Sequence, residues 1–184
     1  MSLDERLLRI ARTRGHTPEA ERLVAGFSML GEHAAFWFAL GAAGSVLDRR
    51  AGARARWRKA TGVVAATYAA NTALKLLVRR HRPSLPGLPA LTGTPTRLSF
   101  PSAHSSTSFA AAQAFSRIGS PAHPLPAGPL YALAGGLAVS RLYLGVHYPS
   151  DVVAGVLLGH AIAVVLGPRS DAGARGAHSV TAAL

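Results

Sequence analysis

Five apolar stretches, each set off by a short segment dense in arginine, proline or glycine, run along the chain at about 22–47, 60–79, 102–117, 130–144 and 150–167. Stretches of roughly 20 residues that carry almost no charge match the hydrocarbon thickness of a bilayer. The pattern predicts an all-α, integral-membrane bundle of about five transmembrane helices. The first stretch contains Glu32 and His33, which are costly in lipid and are expected to face the bundle interior or an interface. The third is short and rich in Ser and Ala, as suits a helix buried among other helices.

Ahead of the bundle, residues 2–14 pair a partial apolar face (Leu3, Leu7, Leu8, Ile10) with Arg6, Arg9, Arg12 and Arg14. This is the pattern of an amphipathic helix lying at a membrane surface. Ser2 and Glu5 have capping-box spacing, Gly15 closes the helix, and Thr17-Pro18 opens the next one. Residues 48–59 form a basic loop, 81–101 a loop with five prolines, and 119–129 a Pro-rich turn. The chain thus divides into an interfacial helix (1–16), a membrane domain (17–168) and a small, polar, flexible tail (169–184), with no internal repeat. Five spans place the N-terminal segment, the 81–101 loop and the 145–149 turn on one side of the membrane, and the 48–59 loop, the 119–129 turn and the tail on the other. Positive charge does not decide which side is cytoplasmic: six Arg/Lys in 48–59 oppose five Arg in 1–22.

Composition agrees with this picture. Charged residues make up 15% of the 184, apolar ones 49%, and the mean hydropathy is +0.23. The net charge of +12 raises the question of nucleic acid. The basic residues sit beside long apolar segments, where they meet anionic headgroups and fix orientation, so no nucleic-acid partner is expected and the bilayer is. With no cysteine there is no disulfide framework and no thiolate chemistry. No cleavable signal peptide is evident. The GAAG run of the first span and the AGG of the fourth permit close helix contacts, within one chain or between two.

Candidate chemistry lies at helix ends on the first side. Lys75 interrupts an apolar run, and Arg82 follows seven residues later, two helical turns on, so both can point the same way. Pro101-Ser102-Ala103-His104 directly precedes the third span, where Ser102 caps a helix whose free N–H groups suit an anion. Ser140-Arg141, His147 and Asp151 bracket the start of the fifth, and Pro149 is suited to open that helix with Asp151 in its first turn. Asp151 is the only acidic residue between Asp48 and Asp171, and it can orient the His147 imidazole as a third group orients an activated nucleophile. Taken singly, each feature has a structural explanation: a snorkelling Lys75, a plain helix cap, an Asp at a helix N-terminus. Together, three cations and backbone N–H groups match the charge of a phosphoryl group in transfer, and two histidines divide the work of nucleophile and general acid. No carboxylate cluster is present to hold Mg²⁺, so no metal or cofactor is expected and the cations carry the electrostatic stabilisation.

The three segments resemble the type 2 phosphatidic acid phosphatase (PAP2) superfamily. Its motifs, Lys-x6-Arg-Pro, Pro-Ser-Gly-His and Ser-Arg-x5-His-x3-Asp, correspond to KLLVRRHRP (75–83), PSAH (101–104) and SRLYLGVHYPSD (140–151). Order and spacing agree from the second span to the fifth. One position departs: Ala103 stands where Gly is usual, and it retains the backbone N–H. The resemblance implies that His147 attacks phosphorus to form a phosphohistidine and that Asp151 orients it. His104 protonates the leaving alcohol and then activates water. Lys75, Arg82, Ser102, Ala103 and Arg141 hold the phosphoryl oxygens, and vanadate inhibits. It further implies a metal-independent lipid phosphate phosphatase that is multi-pass in a bacterial plasma membrane. Small bacterial members act on polyprenyl phosphates or pyrophosphates and on phosphatidylglycerol phosphate. Among them, this Arg/Ala-rich, Lys-poor chain is similar to the decaprenylphosphoryl-5-phosphoribose phosphatases; undecaprenyl pyrophosphate and phosphatidic acid are the alternative substrates. A vanadium haloperoxidase would share the site but needs bound vanadate on a larger soluble scaffold, against the five apolar spans. A membrane interaction protein with a degenerate site is opposed by the presence of every motif residue except the Gly.

Overall fold

A computed structural model describes residues 1–118 and 126–168. Seven α-helices occupy these residues: α1 (Leu3–Thr13), α2 (Pro18–Met29), α3 (Ala35–Leu47), α4 (Ala53–Val78), α5 (Ala103–Ser116), α6 (Ala127–Tyr143) and α7 (Pro149–Leu166). No strand forms among the described residues. The expected start signals operate: the Ser2/Glu5 capping box opens α1, Thr17 and Pro18 open α2, Ser102 caps α5, and Pro149 opens α7 with Asp151 in its first turn. The tail 169–184 and residues 119–125 of the Pro-rich turn lie outside the described residues.

The five expected stretches fall in helices, the first of them in two, but fewer than five qualify as membrane spans among the described residues. By length and apolar composition α4 and α7 can each cross a membrane, and α2 with α3 can serve as a third, bent span. At 1.5 Å per residue, α5 rises only about 21 Å, short of the ~30 Å hydrocarbon core. It is an inner helix, packed on α4, α6 and α7, and its residues from His104 to Phe115 are mostly buried.

Two boundaries differ from the expectation. The stretch 22–47 is not one helix: a 3-10 turn at Glu32–Ala34 breaks it, His33 and Ala34 adopt φ of 49° and 57°, and α2 and α3 meet at 43°. Left-handed φ in consecutive non-glycine residues is sterically unfavourable and persists only where the surroundings demand it. Here Gly31 lies directly against the His104 ring, and the break carries Glu32 to the site. The second difference is at α4, which begins at Ala53 and takes in much of the 48–59 loop. Trp57, one turn into the helix, is buried and donates to Asp48 at 3.0 Å, and this anchors the early start.

Close packing has a local cause. Gly155 and Gly159 of α7 face the main chain of α5; a Cβ at either would run into the carbonyl oxygens of Ser102 or Ser106. Small residues four apart permit this approach of two backbones. Gly41 and Gly44 of the GAAG run meet Thr61 and Trp57 of α4, so that run serves a contact within the chain. Trp37 (α3) reaches α5, donating to Ser108 Oγ at 2.9 Å and stacking at a tilt against Phe115.

Helix α1 docks on the face formed by the 81–101 loop and the α6–α7 turn. Leu8 is buried, Arg12 donates to the Pro89 and Tyr143 carbonyls at 2.7 and 3.3 Å, and Asp4 accepts from the Ser150 N–H at 3.0 Å. Leu3, Leu7 and Ile10 remain exposed.

Candidate active site

Helix ends and the loop between α4 and α5 build the site. Helix α4 ends at Val78, and Arg79 takes a left-handed conformation (φ 54°) that turns the chain away. Arg82 is therefore not two helical turns beyond Lys75, as its spacing predicted. It reaches the same pocket from the loop, whose two arms are pinned by Ser99 N–H to the Arg80 carbonyl (2.8 Å) and Arg82 N–H to the Arg97 carbonyl (3.1 Å). The loop thereby holds the KLLVRRHRP and PSAH segments side by side.

A pocket of about 180 Å³ opens here. Lys75, Arg82, Ala103, His104, Arg141 and His147 all line it, so three separate stretches of sequence converge. Lys75 Nζ donates to the Leu98 and Pro101 carbonyls, both at 3.1 Å. Arg141 is buried, and its Nη1 donates to Ser28 Oγ at 2.6 Å. Arg82 donates through Nε to the Thr96 carbonyl (2.8 Å) and through Nη1 to the Val146 carbonyl (2.9 Å) and to His147 Nε2 (3.0 Å).

The last contact defines the His147 tautomer. A guanidinium only donates, so Nε2 presents its lone pair and the ring proton resides on Nδ1. Nδ1 faces Asp151 Oδ2 at 3.5 Å and has no nearer partner. This is longer than a good N–H···O bond, and such contacts tighten as charge develops on the ring. Burial pushes the His147 imidazole well below its usual range, and Arg82, Arg141 and Lys75 act in the same sense against the opposing pull of Asp151. The ring is neutral at pH 7, and its Nε2 is unprotonated, its lone pair accepting from Arg82 until a phosphoryl group draws that guanidinium away; an unprotonated nitrogen is the form a nucleophile requires.

Asp151 is fully buried. Its Oδ2 accepts from the Tyr148 N–H at 2.9 Å and its Oδ1 from Arg80 Nη1 at 2.9 Å. His104 bonds through Nε2 to the Ser28 carbonyl at 3.0 Å, and Glu32 Oε2 lies 4.0 Å from the same nitrogen. Ser102 stands behind the pocket wall. Its Oγ, fully buried, accepts from Ser105 Oγ at 3.0 Å, and its N–H donates to the Asp151 carbonyl at 3.0 Å. In this arrangement it joins α5 to α7; Ser102 and Asp151 are the two expected site residues that do not line the cavity. Ala103, the first residue of α5, faces the cavity with the open N-terminal turn of the helix. Among the described residues no three His, Asp or Glu side chains come together to hold a metal ion.

Three participants were not singled out for the site by sequence. Arg80 grips Asp151 from outside the pocket. Ser28 serves His104 through its carbonyl and Arg141 through its hydroxyl. Glu32, expected only to avoid lipid, lines the pocket with His33 and Tyr68, whose Nδ1 and hydroxyl are 2.9 Å apart. The unusual position of Glu32 and His33 within an apolar stretch was the available signal for the last; Arg80 was hidden in a run of four basic residues.

Comparison with known proteins gives this geometry its relatives. The model of the PAP2 superfamily matches residues 56–168. The decaprenylphosphoryl-5-phosphoribose phosphatase of Mycolicibacterium smegmatis is 43% identical over 129 residues, covering 70% of this chain and 67% of the relative. That of Mycobacterium tuberculosis is 39% identical over 142 residues, covering 77% and 75%. In fold the chain is similar to a transmembrane PAP2-type phosphatidylglycerolphosphate phosphatase from Bacillus subtilis (TM-score 0.70, 24% identity, 89% and 82% of the two chains). It is similar also to Aquifex aeolicus LpxE (TM-score 0.73, 22% identity, 90% and 94%). With its three motif segments converging on one pocket and the family model covering most of the helical bundle, this chain belongs to the PAP2 superfamily and is a membrane lipid phosphatase.

Proposed function

We propose that the protein removes the phosphate of a polyprenyl-linked phosphoribose in the plasma membrane of a bacterium, with His147 as nucleophile. The observation that carries the substrate is the 39–43% identity, over most of the chain, to relatives named decaprenylphosphoryl-5-phosphoribose phosphatases. The pocket supports it. Besides the cations, its lining includes Glu32, Tyr68, Asn71, Thr72 and Thr96, whose carboxylate, amide and hydroxyl groups are of the kinds that sugar hydroxyls pair with.

In this reading the His147 Nε2 lone pair attacks phosphorus. The bond from phosphorus to the ester oxygen breaks, and His104, entering as the imidazolium with its Nε2–H held by the Ser28 carbonyl, gives its second ring proton to the departing ribosyl oxygen. Lys75, Arg82 and Arg141, with the α5 N-terminus at Ala103 and His104, stabilise the charge on the three remaining oxygens; Ser102 contributes its hydroxyl when it turns from its cap. Asp151 stabilises the imidazolium that forms as the P–N bond closes. Water then attacks phosphorus, His104 takes its proton, the P–N bond breaks, and inorganic phosphate leaves. The interfacial role of α1 belongs to the same proposal.

The test is purified protein in lipid against phosphatidic acid, phosphatidylglycerol phosphate, undecaprenyl pyrophosphate and a polyprenyl phosphoribose 5-phosphate. The phosphoribose substrate is expected to turn over fastest, vanadate to inhibit, and His147→Ala to abolish phosphate release. Equal slow hydrolysis of all four would sink the substrate assignment, and full activity in His147→Ala the nucleophile.

A further inference from the structure

Resting on the assignment of His147 as nucleophile, we infer that Arg80 is a positioning residue for the His147–Asp151 pair, and that Asp4 of the N-terminal helix holds it in place, making α1 part of the active site.

The argument starts from Asp151. A fully buried, ionised carboxylate requires a counter-charge and well-made hydrogen bonds. Lys75, Arg82 and Arg141 do not hydrogen-bond to it; they donate to loop carbonyls, to His147 and to Ser28. Arg80 does, through Nη1 to Oδ1 at 2.9 Å. Tyr148 N–H occupies Oδ2 on its other side, so the two donors fix the rotation of the carboxylate and aim Oδ2 at His147 Nδ1.

Arg80 is itself held from three directions. Its Nη2 donates to Asp4 Oδ2 at 2.8 Å, its Nη1 also donates to Ser150 Oγ at 2.7 Å, and its guanidinium lies over the Tyr148 ring at 4.1 Å. Ser150 closes the circuit, giving both its N–H and its hydroxyl to Asp4. Partial burial would raise the Asp4 carboxyl, but the bonds from Arg80 and Ser150 outweigh it and hold the group below its usual range. Asp4 is in the first turn of α1, where the helix dipole favours a carboxylate. Without Asp4, the Arg80 side chain, about one-third exposed, loses the contact that directs one of its two terminal nitrogens. A plain surface ion pair has no such consequence; this one ends on the residue that orients the nucleophile.

The experiment is a double-mutant cycle on the full-length protein in lipid. Arg80→Ala is expected to lower kcat roughly 10- to 100-fold, by analogy with the scale found when the group that orients a metal-bound histidine is removed. KM and the vanadate inhibition constant stay within about twofold, because the phosphate-holding cations are untouched. Arg80→Lys, which keeps the charge but reaches only one of the two carboxylates, recovers part of the loss. Asp4→Asn lowers kcat less than Arg80→Ala, and the double variant is no slower than Arg80→Ala alone, because both act through one path. Wild-type kcat in Arg80→Ala, a parallel loss of vanadate affinity, or multiplying effects of the two substitutions would each overturn the proposal. If His147→Ala is inactive while Arg80→Ala is normal, the positioning role fails and the nucleophile stands; if His147→Ala is active, the nucleophile assignment fails first.

Discussion

At one end of the bundle Lys75, Arg82 and Arg141 are buried or half-buried, and their polar atoms meet carbonyls, a hydroxyl and the His147 ring around a single pocket, with no carboxylate bonded to any of them among the described residues. At the other end Arg49, Arg54, Arg58 and Lys59 are exposed, and Arg50 pairs with its near neighbour Asp48. The 48–59 segment has the more cations, six against three; arrangement separates the two. Exposed arginines beside an apolar helix interact with headgroups and ions through a screening solvent. Convergent, desolvated ones repel one another and keep that cost until an anion arrives, so their charge is available to a phosphoryl group. Net charge in a membrane protein therefore says little about chemistry until the direction of each side chain is known.

The sharpest way to break this comparison is to remove one convergent cation. Arg141→Ala is expected to lower kcat/KM by on the order of 10²–10³, as for loss of one preorganised donor to a developing oxyanion, measured as phosphate release. A loss of only a few-fold would put Arg141 with the distal group. Ligand-linked stability comes next. Vanadate at about 100 times its Kd should stabilise the protein by about 2.7 kcal/mol in a thermal unfolding assay. The effect should persist when Arg54 and Arg58 are both changed to Gln and vanish in Arg141→Ala.

A smaller effect comes from pH. The folded protein holds His147 below its unfolded value near 6.5. As pH falls below that value the unfolded chain gains a proton that the folded one refuses, and stability declines. His147→Gln should lose less stability than wild type between pH 6.5 and 4.5; identical slopes would remove His147 as the source. The smallest expectation is the control: Arg54→Gln with Arg58→Gln leaves kcat within about twofold, since exposed charges are screened over a Debye length.

Much of the site was legible in the sequence because its parts are signalled locally. Ser102 and Pro149 act through caps and fixed dihedrals, and the motif spacing carried Lys75, Arg82, His104, Arg141, His147 and Asp151 into one reading. Arg82 shows how such a reading can succeed for a wrong reason. It reaches the pocket because Arg79 ends α4 with a left-handed residue, which helical spacing cannot foresee. The break between α2 and α3 was hidden for a related cause: apolar content is continuous across it, and the left-handed pair His33-Ala34 includes no glycine. Arg80 and Ser28 could not be found because their partners, Asp4, Asp151, His104 and Arg141, are distant in the chain, and no local pattern announces such contacts.

The glycine faces of α7 have a bearing on redesign. Where Gly155 and Gly159 meet α5, and where the Ser102 N–H reaches the Asp151 carbonyl, the spacing between the α5 N-terminus and the carboxylate behind His147 is set by main chain against main chain. The opposite wall, carried by the bent joint at Glu32–Ala34, is made of side chains. Under the proposed mechanism the molecule is thus split into a fixed jaw that does chemistry and an adjustable jaw that faces the alcohol being released. Retargeting the enzyme to another lipid phosphate should succeed through residues such as Glu32 and Tyr68, while even a methyl group at Gly155 or Gly159 would displace the reacting parts from one another.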